Sequence, residues 1–420
     1  MMEYDVVIIG GGAAGLAAAI SAKEEGIDNI IILERENSLG GILNQCIHSG
    51  YGLYNFNEEL TGPEYAQRYI DKIKDMNISY KLNTMVMNLA KDKTITLLNS
   101  EEGVFEIKGK AIVLAMGCRE RPRGALNIPG SRSAGIFTAG TVQRFINLDG
   151  YLPGKEAVIL GSGDIGLIVA RRMTLEGAKV KVVVEPMPYF GGLKENIVGC
   201  LKDFNIPLKL SHTVISIKGK DRLEGVTIAK VDKDRKPVDG TEEFIECDTL
   251  ILSVDLVPEN ELSKEVGIKI CDETNGPLVN ESLETSIEGI FSCGNALHVH
   301  DYVDSISIES NLAGRNAAKY VKGDRFKNKG DSIAILSGEG LKYTVPNFVN
   351  KENVNDFLKV KFRVDNVYNE KKISVYFDEK REFTFEKSIF TPGQMEDVII
   401  HKEVINKYPS CKNITLKIEE

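Results

Sequence analysis

Along this chain, short apolar runs return at intervals: Val6-Val7-Ile8-Ile9, Ile30-Ile31-Ile32-Leu33, Ala157-Val158-Ile159-Leu160 and Val180 to Val184, the last interrupted only by Lys181. None alternates with polar residues, which suits strands buried on both faces of a parallel sheet. Lys110 to Gly117 (KAIVLAMG) and Asp248 to Asp255 (DTLILSVD) read as further buried strands, and Glu288 to Ala296 (EGIFSCGNA) as a short one ending in Gly294-Asn295. Ser305 to Lys322 predicts a helix packed through small residues, with Asp301 and Asp304 suited to its first turn. The pattern changes to period two over 206–248, predicting antiparallel hairpins, and again beyond Gly323. There, alternating segments separated by polar turns such as Asn369-Glu370-Lys371-Lys372 predict a small β-sandwich without recognisable chemistry.

The apolar runs belong to a repeat. Gly10, Gly12, Gly15, Glu25, Gly26, Glu34, Gly40 and Gly41 return 151 positions later as Gly161, Gly163, Gly166, Glu176, Gly177, Glu185, Gly191 and Gly192. Each copy is a strand, G-x-G-x-x-G, a helix, a second strand and an acidic residue at its tip. The first glycine makes the tight turn, the second admits a pyrophosphate to the backbone, and the third lets helix and strand pack closely. The helix N-terminus offers unpaired N–H groups and a partial positive charge to the phosphates. Glu34 and Glu185 can accept from ribose hydroxyls, and Glu185 would repel a 2′-phosphate, favouring NAD(H) at the second site.

Length and composition narrow the class. The 420 residues suffice for two or three domains, and 42% hydrophobic with 27% charged residues is ordinary for a soluble protein. A net charge of −9 leaves no basic footprint for nucleic acid. No apolar run is long enough to span a bilayer, and the first strand begins too early to leave room for an export signal, so a cytoplasmic location is expected. Seven scattered cysteines contain no C-x-x-C pair, which predicts neither a metal centre nor a vicinal dithiol.

Together these motifs resemble the two-dinucleotide flavoproteins of the glutathione and thioredoxin reductase superfamily, over residues 1 to about 323. GGGAAG with Glu34 is similar to that superfamily's FAD site, AMG at 115–117 to its A-T-G turn, GIFSCGN to its second FAD motif, and GSGDIG with Glu185 to its inserted NAD domain. The resemblance implies an α/β fold: an FAD domain at 1–118 and 255–323, a Rossmann-like NAD domain at 119–254 and the all-β domain at 324–420. It implies FAD contacts from Gly10, Gly12, Ala14, Gly15, Glu34, Arg35, Gly41, Val86, Ala115, Gly117, Gly294, Asn295 and Asp304. For NAD(H) it implies Gly161, Gly163, Asp164, Ile165, Gly166 and Glu185. The superfamily's second motif ends in Asp where this chain has Asn295, an amide that can still hydrogen-bond the ribityl chain. The helix beginning near Val303 would point its N-terminus at the flavin pyrimidine.

More narrowly, residues 120–166 resemble the dinucleotide-binding subunits of opine oxidase, hydrogen cyanide synthase and sarcosine oxidase. GGILNQCIHSGYGLYNFNEELTGPEYA with CGNALHVHDYVDS resembles the FAD-dependent oxidoreductase that accompanies anaerobic-type glycerol-3-phosphate dehydrogenase. Such groups work beside a second flavoprotein, which implies a partner redox protein or dehydrogenase subunit and a hetero-complex or oligomer. The expected function is electron transfer between NAD(H), FAD and that partner.

Two alternatives stand beside it. Disulfide reductases place two cysteines where this chain has only Cys46, which as a lone thiolate could serve a peroxide or disulfide reductase, or could simply pack as a small hydrophobe. A nucleotide-binding assembly subunit is the non-catalytic alternative. His48, His298 and His300 fall in segments expected to line the flavin, where each could manage a proton or bond backbone at a turn. A metal at His298 and His300 is not expected without a nearby carboxylate or thiolate. Arg119, Arg121 and Arg123 form a basic cluster near 120 that suits either phosphates or a solvated loop.

Overall fold

The computed structural model describes residues 1–323 and 332–420. The expected start of the C-terminal domain at 324 lies outside the described residues. The chain divides into two compact units, Met1–Cys118 with Pro258–Glu420, and Arg119–Val257. The second unit thus ends three residues beyond the expected 254.

In the first unit, Met2–Ile9 lies between Ile30–Leu33 and Gly103–Leu114, parallel to both. Ser79–Lys81 extends one edge in parallel, and Ile290–Ser292 also pairs in parallel with Gly103–Leu114. Thr94–Asn99 and Met85–Leu89 complete the sheet antiparallel. Val6 to Ile9 and Ile30 to Leu33 are buried on both faces, as uninterrupted apolar runs require. The Ala13–Glu24 helix is buried from Ala14 to Ala22 on nearly every side, so small residues replace an amphipathic stripe. It packs on the Val303–Val321 helix so closely that a Cβ on Gly314 would meet the Ala18 carbonyl oxygen at 2.1 Å. Asp304 is in the first turn of that helix, whereas Asp301 precedes it and pairs with Arg363.

The second unit repeats the plan. Glu156–Leu160 lies between Lys179–Glu185 and Thr249–Leu252, with Leu208–Leu210 and Ile136–Thr138 at the edges, all parallel. The expected hairpin region is therefore split: Leu208–Leu210 joins the parallel sheet beside Val183, and only His212–Gly219, Leu223–Lys230 and Glu243–Glu246 form an antiparallel sheet. Three residues were too few for periodicity to reveal which sheet they join.

The C-terminal region forms two sheets over a common apolar core that includes Phe362, Phe377, Phe390 and Ile414. Asn369 to Lys372 are not the expected turn but part of the Tyr368–Phe377 strand; only Lys372 onward pairs with Asn413–Glu419 as well. The end paired on one side stays solvated, so its polar residues mimic a turn. Glu370 takes a left-handed φ of 52° there without shifting the register, and the irregularity of this strand pair falls instead between Val375 and Tyr376. Tyr343 and Val345 from this region pack into the core of the first sheet.

The chain is stitched where it leaves and re-enters each unit. Glu259 N–H donates to the Gly117 carbonyl at 3.0 Å in the first unit, and Arg121 N–H to the Asp255 carbonyl at 3.1 Å in the second. Among the described residues no helix is long and apolar enough to cross a membrane.

Candidate functional site

The three glycines of each cradle have different surroundings. Gly10 turns the chain at φ 107°, and a Cβ there would meet the Ala115 carbonyl oxygen at 2.4 Å; on Gly15 it would lie 1.8 Å from the Gly10 carbonyl oxygen. Gly12 has open space, its nearest neighbour being the Gly41 Cα at 3.9 Å. In the second unit, a Cβ on Gly161 would meet the Ser253 carbonyl oxygen at 2.0 Å and one on Gly166 the Ser253 Cβ at 2.6 Å, while Gly163 is clear to 3.7 Å. Outer glycines close the turn, and the middle one leaves a bare strip of backbone at a helix N-terminus. This fits a pyrophosphate in both cradles.

The acidic residues match as well. Glu34 Oε2 accepts from Gly11 N–H at 2.7 Å and Oε1 from Glu36 N–H at 2.9 Å. Glu185 Oε2 accepts from Ser162 N–H at 2.9 Å and its hydroxyl at 2.7 Å, and Oε1 from Met187 N–H at 2.9 Å. Each carboxylate thus braces the glycine loop and its own turn, and its remaining lone pairs can still take ribose hydroxyls. Ser162 and Ser253 are contributors that glycine spacing does not reveal. Ser162 Oγ accepts from Gly191 N–H, and Ser253 Oγ from Gly166 N–H.

The other expected contacts are distributed around these loops. Gly294, at φ 64°, lies against the first cradle helix, where an added Cβ would meet the Ala14 Cβ at 2.7 Å. Ala115 N–H donates to the Ile9 carbonyl at 2.9 Å, and Gly117 has open space around it. Asn295 Oδ1 accepts from His300 N–H at 3.0 Å, and its Nδ2 faces Cys118 Sγ at 3.6 Å. Asp304 takes Gly52 N–H and Asn55 N–H on its two oxygens, holding that loop to the helix N-terminus. Arg35 is exposed and pairs with Glu259 at 3.2 Å; the Val86 side chain is buried in the core. Asp164 Oδ1 accepts from Leu193 N–H and the Asn196 amide, and Ile165 is half-buried beside it.

Cys46 and His48 flank a small polar group. His48 Nδ1 lies 3.1 Å from the Ser49 carbonyl and must donate to it, so Nε2 accepts from the Tyr51 hydroxyl at 3.0 Å. Burial, helped by the nearby Cys46 sulfur, pushes the Tyr51 phenol far above its ordinary range. The Cys46 thiol donates to the Ile42 carbonyl at 3.3 Å, and none of the seven cysteines is disulfide-bonded.

His298 and His300 lie apart from that group, in a buried knot. His298 Nε2 is 2.8 Å and His300 Nε2 3.2 Å from Glu309 Oε2, and Lys361 Nζ is 2.9 Å from the same oxygen. Glu309 Oε1 accepts from Gly294 N–H at 3.0 Å. Burial drives the His298 imidazole down to about 4. Burial would push the Glu309 carboxyl up, but the Lys361 ammonium and then the two imidazoles outweigh it and hold it well below its ordinary range. The expected lack of a carboxylate beside these histidines is thus incorrect: Glu309 arrives from the next helix, and the three ligand atoms lie within 4.8 Å of one another. Lys361, however, places its ammonium on the oxygen a cation would need.

The C-terminal region therefore does carry polar chemistry. Alongside Lys361, Arg363 donates to the Val299 carbonyl at 3.1 Å and pairs with Asp301, which also takes Met395 N–H. A buried glutamate on a small-residue helix face was the signal that a cation had to come from elsewhere.

The pyridine nucleotide-disulphide oxidoreductase family matches residues 4–307. Hydrogen cyanide synthase subunit HcnB of Pseudomonas protegens is 28% identical over 291 residues, 64% of this chain, and the chain spans only 60% of that relative's length. Thioredoxin reductase of Listeria innocua is 26% identical over 326 residues, 76% of this chain and 94% of the relative. Among solved structures, thioredoxin reductase of T. acidophilum shares the fold with a TM-score of 0.61 at 23% identity, covering 77% of this chain and 99% of that one.

Proposed function

The chain belongs to the pyridine nucleotide-disulphide oxidoreductase family and is an FAD-dependent oxidoreductase using NAD(P)H; from that premise we propose that it moves electrons between NAD(H) and a partner redox protein, a flavoprotein dehydrogenase of the glycerol-3-phosphate type. The observation that carries this reading is the duplicated cradle, bare at Gly12 and Gly163 and braced by Glu34 and Glu185, without a C-x-x-C pair to receive electrons within the chain. The relatives add weight to the partner, since a hydrogen cyanide synthase subunit is among them. Its whole activity is not carried over.

When bound, FAD supplies the electron-carrier chemistry and NAD(H) the hydride. What this chain supplies is position. Gly12 and Gly163 admit the pyrophosphates to helix N-termini, Glu34 takes the ribose hydroxyls of FAD, and Glu185 does so for NAD(H) while repelling a 2′-phosphate. Gly294 and Asn295 complete the FAD cradle. His298 and His300 act on that turn through Glu309, and a proton near the flavin falls to His48.

Protein purified in its native state should be yellow, and anaerobic NADH should bleach it faster than NADPH does. Protein that retains no FAD and binds none on reconstitution refutes this reading.

A second reading is favoured by Tyr51, whose hydroxyl bonds His48 and is also influenced by the nearby Cys46 sulfur. These three groups suit a single-thiol NADH-dependent peroxide or disulfide reductase, with His48 and Tyr51 handling the proton. Replacement of Cys46 by Ser separates the two readings, since only the thiol route needs the sulfur.

A further inference from the structure

The Glu309 knot joins two parts of the first unit that lie far apart in sequence. Its carboxylate holds Gly294 N–H with one oxygen, and Gly294 rests on Ala14 in the first turn of the FAD-side helix. The other oxygen takes Lys361, which comes from the Phe357–Val364 strand of the C-terminal region. Lys361 also approaches His300 Nε2 at 3.1 Å. The same nitrogen lies 3.2 Å from Glu309 Oε2, so imidazole, ammonium and carboxylate meet at one point. The His298 imidazole beside them is neutral at neutral pH, since burial keeps its proton affinity low. The buried Glu309 carboxylate is therefore paired with the Lys361 ammonium inside the knot.

We infer that Lys361 is a positioning residue for the flavin: by balancing Glu309 it keeps the Gly294–Asn295 turn in place and sets the local charge felt by the flavin. The inference rests on the first cradle holding FAD. It gives the C-terminal β-region a part in the flavin site, although none of its residues belongs to a dinucleotide motif. Asn295 is held to the same assembly, because its side-chain oxygen takes His300 N–H. Removing Lys361 leaves a buried carboxylate unpaired beside the turn, and removing the Glu309 charge leaves an ammonium there.

The two changes should act with opposite sign. Lys361→Met should move the flavin midpoint potential to more negative values and weaken FAD binding about tenfold, the loss of one charge-assisted hydrogen bond. Glu309→Gln should move the potential to more positive values. The double variant, which removes both charges of the pair, should return towards wild type, and Lys361→Arg should stay close to it.

The test is spectroelectrochemical titration at pH 8, with FAD affinity measured by fluorescence on flavin-stripped full-length protein. Shifts of opposite sign that cancel in the double variant support the inference. Unchanged potentials, or shifts of one sign in both single variants, overturn it. Should Lys361→Met fail to fold, Glu309→Gln decides alone, and a potential that does not rise overturns the inference. Wild-type protein that binds no FAD would defeat the cofactor reading instead, a result visible before any variant is made.

Discussion

Gly12 and Gly15 stand three residues apart in one loop, yet substitution should damage different properties. On Gly15 an added methyl would lie 1.8 Å from the Gly10 carbonyl oxygen, so the loop must move by more than an ångström to reach even the 3.0 Å floor of real contacts. Overpacking against backbone belongs at the top of the usual range, about 3 kcal/mol. At about 2–4 °C per kcal/mol for a unit of this size, Gly15→Ala should lower the melting temperature of flavin-stripped protein by roughly 6–12 °C. On Gly12 the nearest atom is 3.9 Å away, so the methyl meets no protein. Alanine is only a poorer helix cap than glycine, by about 0.5–1 kcal/mol, and melting should fall by no more than about 4 °C. The same methyl occupies the space where a pyrophosphate must approach. Losing one or two charge-assisted hydrogen bonds should weaken FAD about a hundredfold. Thermal melting of stripped protein and fluorescence titration with FAD read the two effects separately. Gly12→Ala protein that binds FAD like wild type, or Gly15→Ala protein that melts like wild type, would refute the division of labour.

Three further outcomes are expected. Glu185→Ala should lower the NADH:NADPH ratio of kcat/KM about tenfold, and an unchanged ratio would remove the 2′-hydroxyl argument. Because His298 falls from its ordinary 6.5 to about 4 in the folded protein, the unfolded chain binds more protons between those values. Stability should therefore be complete above about pH 6.5 and decline towards pH 4 by up to about 3 kcal/mol, with that limb flattened in His298→Asn; denaturant midpoints at pH 7.5 and 4.5 measure it. Cys46→Ser should keep NADH-driven reduction of artificial acceptors near wild type, whereas near-complete loss of turnover with every acceptor would favour the single-thiol reading.

How much could be read from sequence depended on the distance over which each contact acts. The glycine loops and their acidic residues were visible because strand, turn, helix and carboxylate lie within about thirty residues, each element leaving its own spacing. The Glu309 knot was not. Lys361 and Arg363 alternate with buried Val360, Phe362 and Val364, and such alternation reads as a solvated polar face. That face is covered, and Lys361 reaches a glutamate 52 residues earlier. His298 and His300 were singled out for lying in segments expected to line the flavin, but their partner carboxylate sits on the following helix, and their spacing carries no trace of it. The Asn369 to Lys372 segment misled for the opposite reason, being a strand whose polar residues remain in solvent.

The backbone stitches at Gly117 to Glu259 and Arg121 to Asp255 have a consequence for how such a chain is assembled at the level of its gene. Each closes its own unit across the two ends of the Arg119–Val257 segment. That segment can be treated as a cassette, removed between 118 and 258 and replaced by a short linker, leaving the first sheet with every strand and its order intact. A single ancestral nucleotide fold, copied and lodged in a surface connection of its twin, needs no rearrangement of either hydrogen-bonded ladder to become a two-cofactor protein.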